Sequence, residues 1–183
     1  MAEQTVTVVA VARDGAHNFS KELVSEIVLL EGLGVEGDAH CGKTVKHRSR
    51  VMVDPSQPNL RQVHLIASEL FNELQEHGFE IAPAGLGENI TTSGIDLINL
   101  PRGAFLEFGN EAEVEITGLR NPCKQIEAFR AGLLKEMVEP RADAPPILKT
   151  GVMAVVRKGG TVKKGDAIDV ILPPKPHEAL QRV

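Results

Sequence analysis

What most limits the fold of this chain is how soon every apolar run is cut short. Glycine stands at 17 positions and proline at 11, and the stretches between them are mostly too brief for a long helix. Thr5 to Ala12 is rich in valine and reads as a buried strand. Glu22 to Leu30, β-branched and followed by glycines, reads as another, and Val63 to Ile66 as a short one. Phe105–Phe108 and the alternating Ala112–Thr117 flank Gly109-Asn110, which is hairpin chemistry. Val152–Arg157 and Ile168–Leu172 close the pattern, separated by turns at Lys158-Gly159-Gly160 and Lys163-Lys164-Gly165-Asp166. Helical spacing is scarce. Ser68 is placed to cap a helix from Glu69 to about His77, with Leu70, Phe71 and Leu74 as its apolar stripe and Gly78 as its stop. Ala131 to Val138 can also turn helically, before Pro140, Pro145 and Pro146 force an irregular connection. Strands outnumber helices and do not alternate with them. This predicts a mostly β fold, mainly an antiparallel β-barrel with one to three short helices, over a single domain at 1–172. Pro173, Pro174 and Pro176 end the sheet and leave 173–183 as a loose tail.

The chain is long enough, at 183 residues, for one sizeable core. Its 42% hydrophobic and 25% charged residues exclude wholesale disorder. A net charge of -5 argues against broad binding to nucleic acid or an anionic membrane. With neither a membrane-length apolar run nor the pattern of a secretory signal, the expected location is cytoplasmic. Cys41 and Cys123 are too few for a disulfide framework and are expected as free thiols.

Cys123 has the more telling setting. It follows the strand pattern Glu113-Val114-Glu115-Ile116-Thr117, in the segment Gly118-Leu119-Arg120-Asn121-Pro122-Cys123-Lys124-Gln125-Ile126. Asn121 as N-cap and Pro122 at the first helical position would put Cys123 in the first turn of a helix. A thiol there, near Arg120 and Lys124, ionises more readily than a free cysteine and serves as nucleophile, sulfur carrier or soft metal ligand. Elsewhere, glycines recur from Glu31 to Gly42. The G-x-G-x-x-G spacing of Gly32, Gly34 and Gly37 is not a dinucleotide fingerprint, because no helical pattern follows it. Between Lys43 and Gln62 lie Lys43, Lys46, His47, Arg48, Arg50 and Arg61, a basic segment able to meet a phosphate or another anion.

Four motifs stand in a telling order: Gly37-Asp38-Ala39-His40, Gly87-Glu88-Asn89-Ile90, Arg120-Asn121-Pro122-Cys123, and the glycine-turn hairpin from Gly151 to Asp166. Together they resemble the MOSC family, named for the C-terminal domain of molybdenum cofactor sulfurase, across roughly Thr5 to Leu172. The resemblance implies a β-rich barrel whose cleft binds a molybdopterin-type cofactor. It also implies that Cys123 carries sulfur as a persulfide or ligates molybdenum. Gly37, Asp38 and His40, and Gly87, Glu88 and Asn89, fall on the family's two glycine-bearing loops. Asp38, His40 and Asn89 are candidates for bonding the pterin, the first two also for a proton relay; Arg120 and Lys124 are candidates for its phosphate.

The chain has no pyridoxal-dependent desulfurase segment and no extra N-terminal domain of the amidoxime-reducing type, so it looks like the small stand-alone bacterial members. The expected partners are therefore the molybdenum cofactor or a sulfur donor or acceptor protein. One alternative is a molybdenum-dependent reductase of N-hydroxylated compounds. It would need a separate reductase, because no flavin, nicotinamide or iron–sulfur motif is present. Another is a metal-binding regulatory module built on His40, Cys41 and His47 with Asp38 or Cys123, although paired zinc-ligand spacings are missing.

Overall fold

The computed structural model describes residues 5–183; the first residues of the expected 1–172 domain lie outside the described residues. Among the described residues thirteen strands run in chain order. The first group is β1 (Thr7–Arg13), β2 (Glu22–Val24), β3 (Glu26–Leu30), β4 (Gly34–Val35) and β5 (Val63–Ala67). Then come β6 (Ile90–Ser93), β7 (Phe105–Phe108), β8 (Ala112–Leu119), β9 (Val138–Glu139) and β10 (Ile147–Leu148). The last are β11 (Val152–Lys158), β12 (Gly160–Lys163) and β13 (Ile168–Ile171). The helices are α1 (Arg48–Val51), α2 (Glu69–Glu76), α3 (Lys124–Phe129) and α4 (Leu133–Glu136), with a 3-10 turn at Leu97–Asn99.

The mostly β expectation holds; the barrel does not. An 8-stranded sheet runs β13-β7-β8-β11-β5-β6-β1-β2, beside a 3-stranded sheet β12-β3-β4 and the pair β10-β9. All three are open. The large sheet curls far enough for Thr7 to bridge Ala167, but that contact stays isolated and does not grow into a ladder. Pairing is antiparallel except between β5 and β6, which run parallel with α2 crossing over between them. Four α-helices, not one to three, are found among the described residues. The one that the pattern concealed, α1, is a single turn too short to show a periodic apolar face, whereas α4 falls within the helical stretch expected from Ala131 to Val138.

The β7–β8 hairpin forms as its turn residues dictate. Gly109 and Asn110 both have positive φ, 56° and 64°, as a type I′ turn requires. Along β8, buried and half-buried residues alternate, so its apolar face joins Leu65, Leu106, Phe108 and Val152 in the main core. A second core lies outside the sheet, where Ile66, Leu70, Phe71 and Leu74 meet Leu86, Ile126, Leu133 and Met137. Ile126, fully buried there, anchors α3 and thereby sets the position of Cys123.

The C-terminal segment 173–183, expected as loose, is largely exposed but touches the fold at several points. Ala179 bridges Pro101, Arg182 bridges Leu119, and Leu180 enters the main core at 8% exposure. The prolines end sheet pairing but not contact, because the Arg102 and Leu119 N–H groups bond to the Glu178 and Gln181 carbonyls.

Candidate functional site

Cys123 opens onto a cavity of about 440 Å³, walled by the loop after β1, the segment between β4 and β5, the loop before β6 and the β8–α3 junction. The junction differs from its sequence reading. The Arg120 N–H bonds to the Gly151 carbonyl, keeping the chain extended past Asn121 and Pro122. Cys123 itself is the extended N-cap residue of α3, with φ -132° and ψ 166°. The thiol stands at the cap, before the first turn. It is half-buried, and its Sγ lies 3.7 Å from Gln125 Oε1.

The cavity is cationic. Lys21, Lys46, Arg48, Arg50, Arg61 and Arg120 line it, and no aspartate or glutamate does. Of these only Lys21 has a carboxylate partner among the described residues. Arg61 Nε and Arg120 Nη1 are buried and make no hydrogen bond. Burial, then repulsion from Arg50 and Arg120, lowers the Arg61 pKa to about 10, with Cys123 acting the other way. Burial lowers Arg120 likewise, opposed by Cys123 and Glu88. The Arg120 guanidinium also sits 5.9 Å from the Phe19 ring centroid, a cation–π distance. Such a cluster, short of counter-charge, is electrostatically suited to an anion.

Below it lies a polar hub centred on Asp38, whose side chain has no exposure. The carboxylate accepts from Lys21 Nζ at 2.6 Å, Asn89 Nδ2 at 3.0 Å, and the His40 N–H and Nδ1 at 2.9 and 3.2 Å. Burial alone would raise the Asp38 pKa, but the His40 bonds and the Lys21 charge hold it well below the usual carboxylate range. Asn89 is nearly used up: its Nδ2 also donates to the Ala12 carbonyl and its Oδ1 accepts from the His64 N–H. His64, fully buried, donates from Nε2 to the Thr150 carbonyl at 2.7 Å, and burial keeps it neutral by lowering its pKa far below 6.5. Burial and the neighbouring arginines lower His47 to about 4.

The structure thus brings His40, Asn89, Arg120 and Cys123 to one cavity, with Gly87 and with Lys46, His47, Arg48, Arg50 and Arg61 of the basic segment, and it sets Gly37, Asp38, Glu88, Lys124 and Cys41 elsewhere. Asp38 is the hub beneath the wall, and Gly37, with φ 76°, forms the turn that feeds it. Glu88 is fully buried behind the wall. Its Oε1 accepts from the Ala84 N–H and Thr91 Oγ1, so it braces the loop that carries Gly87, and burial raises its pKa. Lys124 is exposed and outside the cavity. Cys41 is also outside, its thiol pKa raised by burial and by Asp38 and Glu36. No group of three or more His, Cys, Asp or Glu side chains suited to a metal ion occurs among the described residues. The ligand set of the regulatory-module reading is therefore not assembled. Lys21 and His64 are cavity residues that the sequence did not single out, and neither sits in a motif that could have flagged it.

The fold and cavity define a class: a small β-rich protein with a thiol set in a cationic pocket. A model of the MOSC domain family matches residues 38–169, and the chain belongs to that family, which is associated with molybdenum cofactor binding. No curated protein matches the chain. Among solved structures it is similar to the YuaD protein from Bacillus subtilis, at 23% identity and TM-score 0.76 over 95% of this chain and 100% of that one. It is also similar to YiiM from Escherichia coli, at 19% identity and TM-score 0.62 over 94% and 73%. For YiiM from Geobacillus stearothermophilus the values are 15% and 0.62 over 92% and 75%. No helix among the described residues is long and apolar enough to cross a membrane.

Proposed function

We propose that this protein binds the molybdenum cofactor in the Cys123 cavity, with the cofactor's phosphate at Arg61 and Arg120 and Cys123 supplying the sulfur that meets the molybdenum or is handed on. The observation that carries the reading is the pairing of a thiol with two guanidinium groups whose buried nitrogens lack partners. The residues present fit the group. A phosphate monoester carries about two negative charges near neutral pH and would satisfy both orphaned nitrogens. A thiolate is the protein ligand best matched to a soft, sulfur-bound metal centre. The cavity volume is within the range of cofactor pockets.

When bound, the cofactor would supply a redox-active metal centre. The chain's own residues then divide the work. Arg61 and Arg120 bind charge and orient the ligand, and Phe19 holds the Arg120 plane. With Nδ1–H donated to Asp38, a neutral His40 presents Nε2 as a candidate proton acceptor. In sulfur transfer the Cys123 thiolate attacks the outer sulfur of a donor persulfide. The new S–S bond forms as the old one breaks, the donor leaves as a thiolate, and Cys123 holds the persulfide. In the reductase alternative, electrons come from a separate reductase.

Protein made in a cofactor-competent host is expected to carry near-stoichiometric molybdenum and pterin by elemental analysis and fluorescence of the released pterin. Cys123→Ser is expected to lose the metal. Native protein from that host with neither component would refute cofactor binding. Incubation with a cysteine desulfurase and cysteine separates the two uses of the thiol: addition of one sulfur mass at Cys123 marks the carrier, and its absence in metal-replete protein marks the ligand.

A further inference from the structure

β8 and β11 pair as far as Leu119 and Val152, and one residue further the ladder fails on one side. The Arg120 N–H still bonds to the Gly151 carbonyl at 3.0 Å. A regular antiparallel pair would return a bond from the Gly151 N–H to the Arg120 carbonyl, and among the described residues that bond is not made. The Thr150 hydroxyl takes its place, with Oγ1 donating to the Arg120 carbonyl at 2.7 Å. This exchange of a side-chain bond for a ladder bond lets the chain turn out of the sheet toward Cys123, while Arg120 stays held at both its N–H and its C=O. The Thr150 carbonyl meets a second cavity residue, accepting from His64 Nε2 at 2.7 Å. Two consecutive residues thus send three bonds to the cavity wall.

The hold is itself fixed. Thr150 is wholly buried. Before it, the Lys149 N–H bonds to the Met137 carbonyl, and Lys149 Nζ is paired with Glu73 and Glu139. After it, Gly151 lies so close to the Leu65 carbonyl that a Cβ would overlap the oxygen. Thr150 does not line the cavity, so it can act on a ligand only through another residue. That residue is Arg120, whose buried Nη1 has no bond within the protein. Resting on the function proposed above for what Arg120 binds, we propose that Thr150 is a positioning residue of the anion site: its hydroxyl fixes the Arg120 main chain, so the guanidinium meets an anionic group without first reorganising. Valine matches threonine in shape but cannot donate, whereas serine donates but lacks the buried methyl. The two substitutions separate bonding from packing.

Amide and arginine side-chain NMR of the cofactor-free chain, titrated with inorganic phosphate, tests this role. The native chain is expected to show saturable shifts at residues 61–64 and 118–124 and a slowly exchanging Arg120 Nε–H. Thr150→Val is expected to weaken phosphate binding by roughly tenfold or more and to speed exchange of that proton, whereas Thr150→Ser keeps the affinity within about twofold. Thr150→Ala, which opens the space that valine fills, is expected to match Thr150→Val in affinity and so serves if the valine variant fails to fold. Urea midpoints are measured alongside. A merely structural role would weaken phosphate in step with lost stability in every variant, serine included. That result, or native-like affinity in Thr150→Val, overturns the proposal, and so does a native chain that binds no phosphate at these residues. The molybdenum and pterin analyses decide the cofactor separately: protein that never carries it, but whose phosphate affinity follows the Thr150 hydroxyl, refutes the identity of the ligand and leaves Thr150 in its role.

Discussion

Breaking the Lys21–Asp38 pair would leave an ammonium group on a side chain only 4% exposed with no counter-charge. Asp38→Asn is therefore expected to destabilise the protein by about 3–5 kcal/mol, the range for removing one member of a buried pair, and to free the rings and amides that the carboxylate holds. Urea unfolding at neutral pH measures the first effect. The pH dependence has two windows of the same sign. His47 is lowered to about 4 in the folded state, so the unfolded chain takes the proton first. The His47 contribution is whole above about pH 6.5 and is lost as the pH falls toward 4. Asp38, lowered from the model-compound value of 3.8, contributes fully above that value and less as the pH falls below it. His47→Asn is expected to reduce the slope of the stability profile in the upper window without removing it, because buried His64 is lowered there too, and Asp38→Asn to flatten the lower one, by denaturant midpoints at stepped pH.

Gly151 joins β10 to β11 with φ 82°, and a Cβ there would overlap the Leu65 carbonyl oxygen. Gly151→Ala combines a left-handed conformation, about 1–2 kcal/mol for an L-residue, with a backbone clash. A total loss of roughly 3 kcal/mol or more is expected in urea unfolding. Because the Gly151 carbonyl accepts the Arg120 N–H, binding of inorganic phosphate at Arg61 and Arg120 should weaken too. Elements of this kind explain what the sequence did and did not disclose. The β7–β8 hairpin and α2 were readable because local chemistry sets them: two turn residues with positive φ in one case, an apolar stripe in the other. The start of α3 was misplaced because Asn121 and Pro122 have the right propensities, while a bond to the distant Gly151, just before β11, keeps that segment extended. The parallel β5–β6 pairing left no mark, since α2 reads the same whether it crosses over a sheet or is merely inserted. At the site, Cys123, His40, Asn89 and Arg120 were readable as motif residues. Lys21 became a cavity residue only through Asp38, a partner 17 positions away.

Across the whole molecule the sheets stay open, and closure is left to loops and to the C-terminal segment. Leu180 fills part of the main core from outside the strands. Leu180→Ala is expected to cost about 2–3 kcal/mol, as for other buried leucine truncations, and to lower the urea midpoint without removing any cavity side chain. The same segment reaches Leu119, whose N–H bonds to the Gln181 carbonyl and whose carbonyl accepts from the Val183 N–H. Leu119 leads directly into Arg120 and Cys123, and Gly151 fixes Arg120 from the other side. The cavity is thus framed by residues that leave the ribosome after its own lining has been made. A chain still attached at residue 150 has the thiol and every cationic side chain of the wall, but lacks Met153 and the strand and end segment that hold the β8–α3 junction in place. On the proposed function, capture of the cofactor is therefore expected to wait until the chain beyond residue 150 has been made.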